Sequence, residues 1–267
     1  MRGRILIVAG SDSGGGAGIQ ADIKTVTALG GFATTAITAL TAQNTLGVFG
    51  VLDVPPEFVR QQMELVLEDI GADAIKTGML SKPAVIAEVV ATLARLAPNI
   101  PLVVDPVMVA KGGHRLLDAA AQEALLNLLV PRATLLTPNI PEAEALIGSR
   151  IADPEAMIAA GHALRVRGAA AVLVKGGHLE HPQVIDVLVT AEGVETFTGP
   201  RQPGPHTHGT GCTLASAIAT GLAQGMSLSD AVKRALDYVR EAIRCAPGYG
   251  KGHGPLDHTH PFRDRSN

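Results

Sequence analysis

Several short stretches of this chain join residue types that could act on a phosphate. His208-Gly209-Thr210-Gly211-Cys212-Thr213 stands just before an apolar, small-residue run at 214–222. This pattern predicts a glycine loop opening a helix. The free N–H groups and the dipole of such a helix favour an anion, and glycine lets a phosphate approach the backbone. A simple glycine turn capped by Thr210 or Thr213 is the competing reading. Cys212 falls at the helix start, where a thiol pKa drops below its usual value of about 8.5. It reads as a general base for a substrate hydroxyl, as a nucleophile partnered by His206 or His208, or as an inert buried cysteine. Lys175 ends an apolar run beside Gly176 and Gly177. It could hold phosphate oxygens as a point charge or sit solvated in its loop. Asp105, before Pro106, could bind magnesium directly or through water, or cap a turn. Asn139 and Glu142 form Asn-x-x-Glu, which is also the spacing of a helix capping box.

Gln43 lies in an otherwise small and apolar stretch. Its amide offers a donor beside an acceptor, a match for a ring nitrogen next to an exocyclic amine, unless it only satisfies loop backbone. The glycine-rich segment 10–18 fits neither the Walker pattern nor a complete Gly-x-Gly-x-x-Gly, which argues against a dinucleotide fold. Gln20 and Asp22 follow it, at the expected start of a helix. His253, His258 and His260 sit in a Gly/Pro-rich stretch and read as an exposed tail.

The elements that must position these residues alternate along the chain. Strands are expected at 5–9, 35–40, 74–77, 102–104, 134–136, 171–174, 184–189 and 193–197. Amphipathic helices are clearest at 56–70 and 229–244. Pro56 and Pro83 suit first helical turns. Such alternation implies an α/β fold with a mostly parallel sheet covered on both faces. Gly10-Ser11-Asp12, Thr41-Ala42-Gln43, Gly78-Met79, Asp105-Pro106, Thr137-Pro138-Asn139 and Lys175-Gly176 each follow an expected strand directly. A parallel sheet gathers them on one edge, where open α/β folds bind ligands.

With no linker, repeat or low-complexity tract, one domain over 1–267 is expected. The hydrophobic share of 46% is ample for a core, and a net charge of -3 gives no reason to expect nucleic acid or an anionic membrane as partner. No stretch reaches the ~18 apolar residues of a membrane helix. Cys212 and Cys245 do not make a disulfide framework, so a reduced, cytoplasmic protein is expected.

Taken together, the motifs are specific. Ala9-Gly10-Ser11-Asp12-Ser13-Gly14-Gly15-Gly16-Ala17-Gly18-Ile19-Gln20-Ala21-Asp22 resembles the opening of bacterial hydroxymethylpyrimidine/phosphomethylpyrimidine kinases. So do Thr41-Ala42-Gln43-Asn44, Lys76-Thr77-Gly78-Met79-Leu80, Asp105-Pro106-Val107-Met108, Thr137-Pro138-Asn139-Ile140-Pro141-Glu142, the His208–Cys212 motif quoted above, and Gly252-His253-Gly254-Pro255-Leu256.

The resemblance implies a ribokinase-like three-layer α/β/α sandwich, usually a homodimer. It also implies ATP- and Mg2+-dependent phosphorylation of 4-amino-5-hydroxymethyl-2-methylpyrimidine to its monophosphate and then its diphosphate, in thiamine biosynthesis. By resemblance, Gln43 reads the pyrimidine edge, Met79 and Val107 contact the ring, and Gly10, Ala17 and Asp22 complete that pocket. The backbone of Gly209, Thr210, Gly211 and Cys212 forms the anion hole, with Cys212 where related sugar kinases carry an aspartate. Asp105 with Asn139 and Glu142 organises magnesium, and Lys175 holds ATP phosphate. The sequence departs from the family pattern at His206, where asparagine is frequent, and in Ala110-Lys111-Gly112-Gly113-His114. A vitamin B6 kinase and a noncatalytic ligand sensor on the same fold are the alternatives.

Overall fold

A computed structural model of the chain describes residues 2–109, 116–179 and 181–265. The 110–114 departure therefore lies outside the described residues. The elements in order are β1 (Arg4–Asp12), α1 (Gly18–Ala28), β2 (Phe32–Asn44), β3 (Gly47–Asp53), α2 (Pro56–Asp69), β4 (Ala74–Thr77), α3 (Pro83–Leu96), β5 (Leu102–Val104), α4 (Ala119–Ala124), β6 (Leu135–Leu136), α5 (Ile140–Ile147), α6 (Pro154–Val166), β7 (Val172–Val174), β8 (Gln183–Val189), β9 (Val194–Pro200), α7 (Thr210–Ala223) and α8 (Leu228–Arg244).

The strands form one sheet in the order β3-β2-β1-β4-β5-β6-β7-β8-β9. From β2 through β7 every pairing is parallel, and β3, β8 and β9 join antiparallel at the two edges. The central strands are apolar without alternation because both faces are covered. Ile5, Leu6, Ile7 and Val8 are all fully buried. One buried cluster joins β1, β4 and β5 to residues of α2 to α6, and the other joins the opposite face to α1, α7 and α8. This is the three-layer α/β/α arrangement expected.

The layer on the second face depends on small residues. α7 is buried along almost its whole length and is built from Ala, Ser, Thr and Gly. At Gly221 an added Cβ would lie 2.7 Å from the Ala231 Cβ of α8, so glycine sets how closely the two helices approach. This close packing lets α7 run beneath β4 and β5 and present its N-terminus at their carboxyl ends.

Three expectations need correction. β2 is longer than 35–40, and β3 was missed. β3 is an edge strand with its side chains largely in solvent, so it shows no buried–exposed alternation. The histidine-rich stretch is exposed only in part: His253 lies in solvent, but Leu256, Asp257 and His258 are buried against α8. No helix among the described residues is long and apolar enough to cross a membrane.

Candidate active site

β1 pairs with β2 on one side and β4 on the other, so the chain's winding reverses around it. In open α/β sheets the crevice outside the carboxyl ends at such a reversal is where ligands bind. A cavity of about 750 Å³ opens there, lined by Gly10, Gln43, Met79, Val107, Lys175 and Cys212 among others.

At one end of the cavity Asp12 organises the glycine-rich loop. Its carboxylate accepts from the N–H groups of Gly14 (2.8 Å), Gly16 (3.0 Å) and Ala17 (2.8 Å). His208 Nε2 lies 2.9 Å from the same carboxylate and 3.1 Å from the Gln43 amide. Burial opposes the Asp12 charge, but His208 and the Ala17 and Gly14 amides outweigh it and hold the carboxyl below its usual range. A carboxylate at this distance takes the single Nε2 proton. Thr41 Oγ1 in turn donates to Ser11 O at 2.9 Å and keeps only acceptor capacity for Gln43, 3.3 Å away. Both observations favour the Gln43 amide with its oxygen toward His208 and its NH2 toward Thr41. His208 thus serves the first loop rather than acting as a base for Cys212.

The head of α7 forms the other side. Gly209 has φ of +82°, and an added Cβ would stand 1.8 Å from Gly16 O, so only glycine allows the two loops to meet. α7 has no side-chain cap and no acidic residue in its first turn, which leaves its opening amides available to an anion. A Cβ at Gly211 would lie 3.2 Å from Lys175 Nζ and 3.5 Å from Asp105 Oδ2, so both charged groups stand against this turn.

Lys175 is placed by the end of β7. Its N–H donates to Pro138 O at 2.8 Å, and Gly176 passes too close to Ile185 O for any side chain. Lys175 Nζ reaches Asp105 Oδ1 at 3.1 Å and Glu142 Oε2 at 3.9 Å. Burial works against the ammonium, but Asp105 and Glu142 raise its pKa overall. Burial and the neighbouring Asp105 push the Glu142 carboxyl up to about 7, with Lys175 opposing. Asn139 and Glu142 also form the capping box of α5: Asn139 Oδ1 accepts from Glu142 N at 2.9 Å, and Glu142 Oε2 from Asn139 N at 2.8 Å.

Two expectations change here. Cys212 lines the cavity as expected, but its thiol is pushed up to about 12, not lowered. Burial is the main cause, with Asp22 and Asp105 adding to it against the pull of Lys76. The helix N-terminus does not outweigh that desolvation. Asp22 does not face the cavity. It is fully buried, with Lys76 Nζ at 2.9 and 3.0 Å and a hydrogen bond from Ser216 Oγ at 2.7 Å. Burial disfavours the Lys76 charge, and Asp22 outweighs it. Two close N–O contacts make this an ionised pair tying α1, β4 and α7 together behind the site.

Sequence reading missed Lys76, because a lysine inside a short strand gives no sign of full burial. It also missed the apolar far end of the cavity, lined by Val184, Leu236, Val239 and Ile243. The α8 members of that set fall on the regular apolar face of the helix expected at 229–244, so periodicity gives no sign that they line a cavity. Gly10, Ala17, Met79 and Val107 line the cavity as expected. Among the described residues no group of three or more His, Cys, Asp or Glu is placed to hold a metal ion.

The phosphomethylpyrimidine kinase family model matches residues 12–257. The chain belongs to that family. It is 52% identical over 267 residues to the thiamine biosynthesis bifunctional protein ThiED of Geobacter sulfurreducens, covering 99% of this chain and 54% of that protein. The chain thus spans about half the length of that relative. It is 47% identical to the hydroxymethylpyrimidine/phosphomethylpyrimidine kinase of Haemophilus influenzae, over 96% of each chain. The pyridoxal kinase of Staphylococcus aureus in complex with AMP-PCP and pyridoxal superimposes with a TM-score of 0.89 at 32% identity, covering 98% of this chain and 96% of that one. Family membership bears out the resemblance carried by the motifs, and with it the kinase class and the α/β fold.

Proposed function

We propose that the chain transfers the γ-phosphoryl group of ATP to the hydroxyl of 4-amino-5-hydroxymethyl-2-methylpyrimidine, and then to the phosphate of that product, in thiamine biosynthesis. The observation that carries this is the convergence of Lys175, Asp105 and the uncapped head of α7 in one cavity with Gln43. In this reading the ring lies between Gly10, Ala17, Met79 and Val107, with Gln43 at its polar edge. The triphosphate lies along residues 209–212 and Lys175. The adenine fits the apolar far end among Val184, Leu236, Val239 and Ile243.

Phosphoryl transfer has a loose transition state and asks mainly for alignment and charge stabilisation. The α7 amides and Lys175 supply these from fixed positions. Cys212 stands at the acceptor hydroxyl. Its resting thiol is protonated, so only a small thiolate fraction could take the hydroxyl proton, which the loose transition state releases late. The donors at Asp105, Glu142 and Asn139 fit magnesium, a hard cation that takes oxygen ligands. Asp105 and Glu142 are two buried carboxylates sharing one lysine, an oxygen-rich pair beside the Asn139 amide. When bound, the ion would neutralise the charge that develops on the phosphate oxygens.

The same reading includes a homodimer and a cytoplasmic setting. The β2–β3 edge supports the dimer: Leu40, Phe49 and Leu52 are 45%, 72% and 66% exposed there, an apolar strip suited to a second copy. A coupled ADP-release assay with the hydroxymethylpyrimidine, its monophosphate, pyridoxal and pyridoxine tests the reading. Turnover is expected on both pyrimidines and weaker turnover on the B6 alcohols. Likeness to the S. aureus pyridoxal kinase favours B6 phosphorylation as the second reading, and preference for pyridoxal would establish it. No turnover on any of them would leave a ligand sensor.

A further inference from the structure

Residues 250–258 cross the rim of the site as a strap. At its start Lys251 N and Gly252 N donate to Thr45 Oγ1 at 3.2 and 3.3 Å, and His253 N donates to Thr45 O at 2.9 Å. Thr45 follows Gln43 closely, at the turn between β2 and β3. Gly254 O then accepts from His208 N at 3.2 Å. Further on, Asp257 N donates to Ala242 O at 3.0 Å and Tyr238 Oη donates to His258 O at 3.0 Å, which fastens the strap to α8. Added Cβ atoms at Gly250, Gly252 and Gly254 would lie 2.3 Å from Thr45 Cγ2, 2.2 Å from Thr45 O and 2.4 Å from His206 Nδ1. The strap is therefore seated without slack.

At the last of these anchors the His258 ring meets α7. Its Nε2 lies 3.0 Å from Thr213 Oγ1, with Thr213 fully buried and His258 4% exposed. The ring also bonds the Leu256 backbone. A ring that donates to that carbonyl through Nδ1 accepts the Thr213 hydroxyl proton at Nε2. Burial, and then Lys24, hold the imidazole down at about 4, with Asp257 and His260 also facing it, so it stays a neutral acceptor near neutral pH.

The first turn of α7 needs such a hold. Its amides are left for an anion, and it has no side-chain cap. Thr210 Oγ1 donates to Thr207 O at 2.6 Å and Thr213 N to Gly209 O at 2.9 Å, and both bonds are local to the loop. The Thr213–His258 contact instead ties this turn to the strap, and the strap is tied to the substrate end through Thr45 and His208.

We propose that His258 is a positioning residue for phosphoryl transfer: through the Thr213 hydroxyl it fixes the anion-binding first turn of α7 relative to the substrate end of the cavity. The proposal rests on the kinase reading for its kinetic consequence only. The test uses the full chain with His258→Leu, His258→Gln, Thr213→Val, Thr213→Ser and the His258→Leu/Thr213→Val double variant. Steady-state kinetics with the hydroxymethylpyrimidine is read together with hydrogen exchange at residues 207–216 and thermal melting.

His258→Leu and Thr213→Val are each expected to lower kcat about tenfold, the scale of a small misplacement of reacting groups, with KM for the pyrimidine changed less than about twofold. Exchange at 207–216 should quicken while α3 is unchanged. The double variant should be no slower than the slower single one, as for partners in one contact. His258→Gln, which keeps an acceptor near the Nε2 position, and Thr213→Ser should recover most of the rate. Multiplying losses, unchanged kcat, or quickened exchange spread equally over α8 and α3 would overturn the proposal. Should the wild type transfer no phosphoryl group at all, the kinase reading fails, and exchange at 207–216 alone decides the role of His258.

Discussion

The two ends of the cavity are built on opposite principles. At the Gln43 end, which the proposed function gives to the substrate, Asp12 takes three backbone amides and the His208 ring, and the Gln43 amide stands between His208 and Thr41. At the Lys175 end, which the proposed function gives to the phosphates, charge is left unbalanced. Asp105 and Glu142 share the single Lys175 ammonium, and the α7 amides have no cap. A network of satisfied hydrogen bonds fixes shape and favours one ligand outline. An unbalanced cluster holds a field ready for ions that arrive with the nucleotide. Under the proposed function, the difference would separate recognition from transfer within one crevice and make each separately breakable.

Removing Lys175 attacks the transfer end most directly. Lys175→Ala should lower kcat on the order of 10³-fold, the scale of a lost charge or oxyanion donor in a preorganised site. ATP KM should rise while the pyrimidine still binds. Stopped-flow binding of the pyrimidine alongside ATP kinetics checks both halves. Unchanged ATP kinetics would remove the lysine from the mechanism.

Cys212 lies between the ends, and its substitution sharpens the boundary. Cys212→Ala should reduce kcat about 10²-fold, at the low end for a positioned base, with substrate binding retained. A near-normal kcat would leave the backbone of residues 209–212 as the catalytic part. Because the thiol is pushed up to about 12, its alkylation in a Cys245→Ser background should climb steadily with pH to at least 10. A plateau near pH 8.5 would mean an ordinary thiol. Direct transfer also requires that no phospho-cysteine accumulate, which mass spectrometry of enzyme trapped in turnover would detect.

Gln43→Ala breaks the recognition end alone. The loss should be roughly 1–3 kcal/mol in binding of the pyrimidine, from a ligand edge left without its donor and acceptor. Pyridoxine should lose less, and kcat should change least of all. Equal losses for both ligands, measured by calorimetry, would show that Gln43 only braces the His208–Thr41 network.

Much of this site could be read from residue order. Gly10, Gln43, Met79, Asp105, Asn139 and Lys175 each follow a strand in a parallel sheet, so they had to share an edge whatever their detailed contacts. The Asn139/Glu142 spacing implied a capping box, and the box is present. Asp22 shows the limit. It follows the first loop as a pocket residue would, but it sits on the inner face of α1 opposite Lys76, and helix phase against a distant strand is invisible to local pattern. β3 escaped for a similar reason, since an edge strand with solvent on both faces leaves no periodic trace.

The sequence by itself determined the alternation of strand and helix, the gathering of functional loops on one edge, and the glycines that let the loops at Gly16 and Gly209 touch. These follow from local propensities and backbone sterics, which act over a few residues. Only the tertiary structure decided protonation and partnership: that the Cys212 thiol is pushed up, that His208 belongs to Asp12, that Lys76 is buried with Asp22, and that His258 reaches Thr213. Each depends on desolvation or on contacts between residues tens to hundreds of positions apart, quantities set by packing and absent from any local stretch of chain.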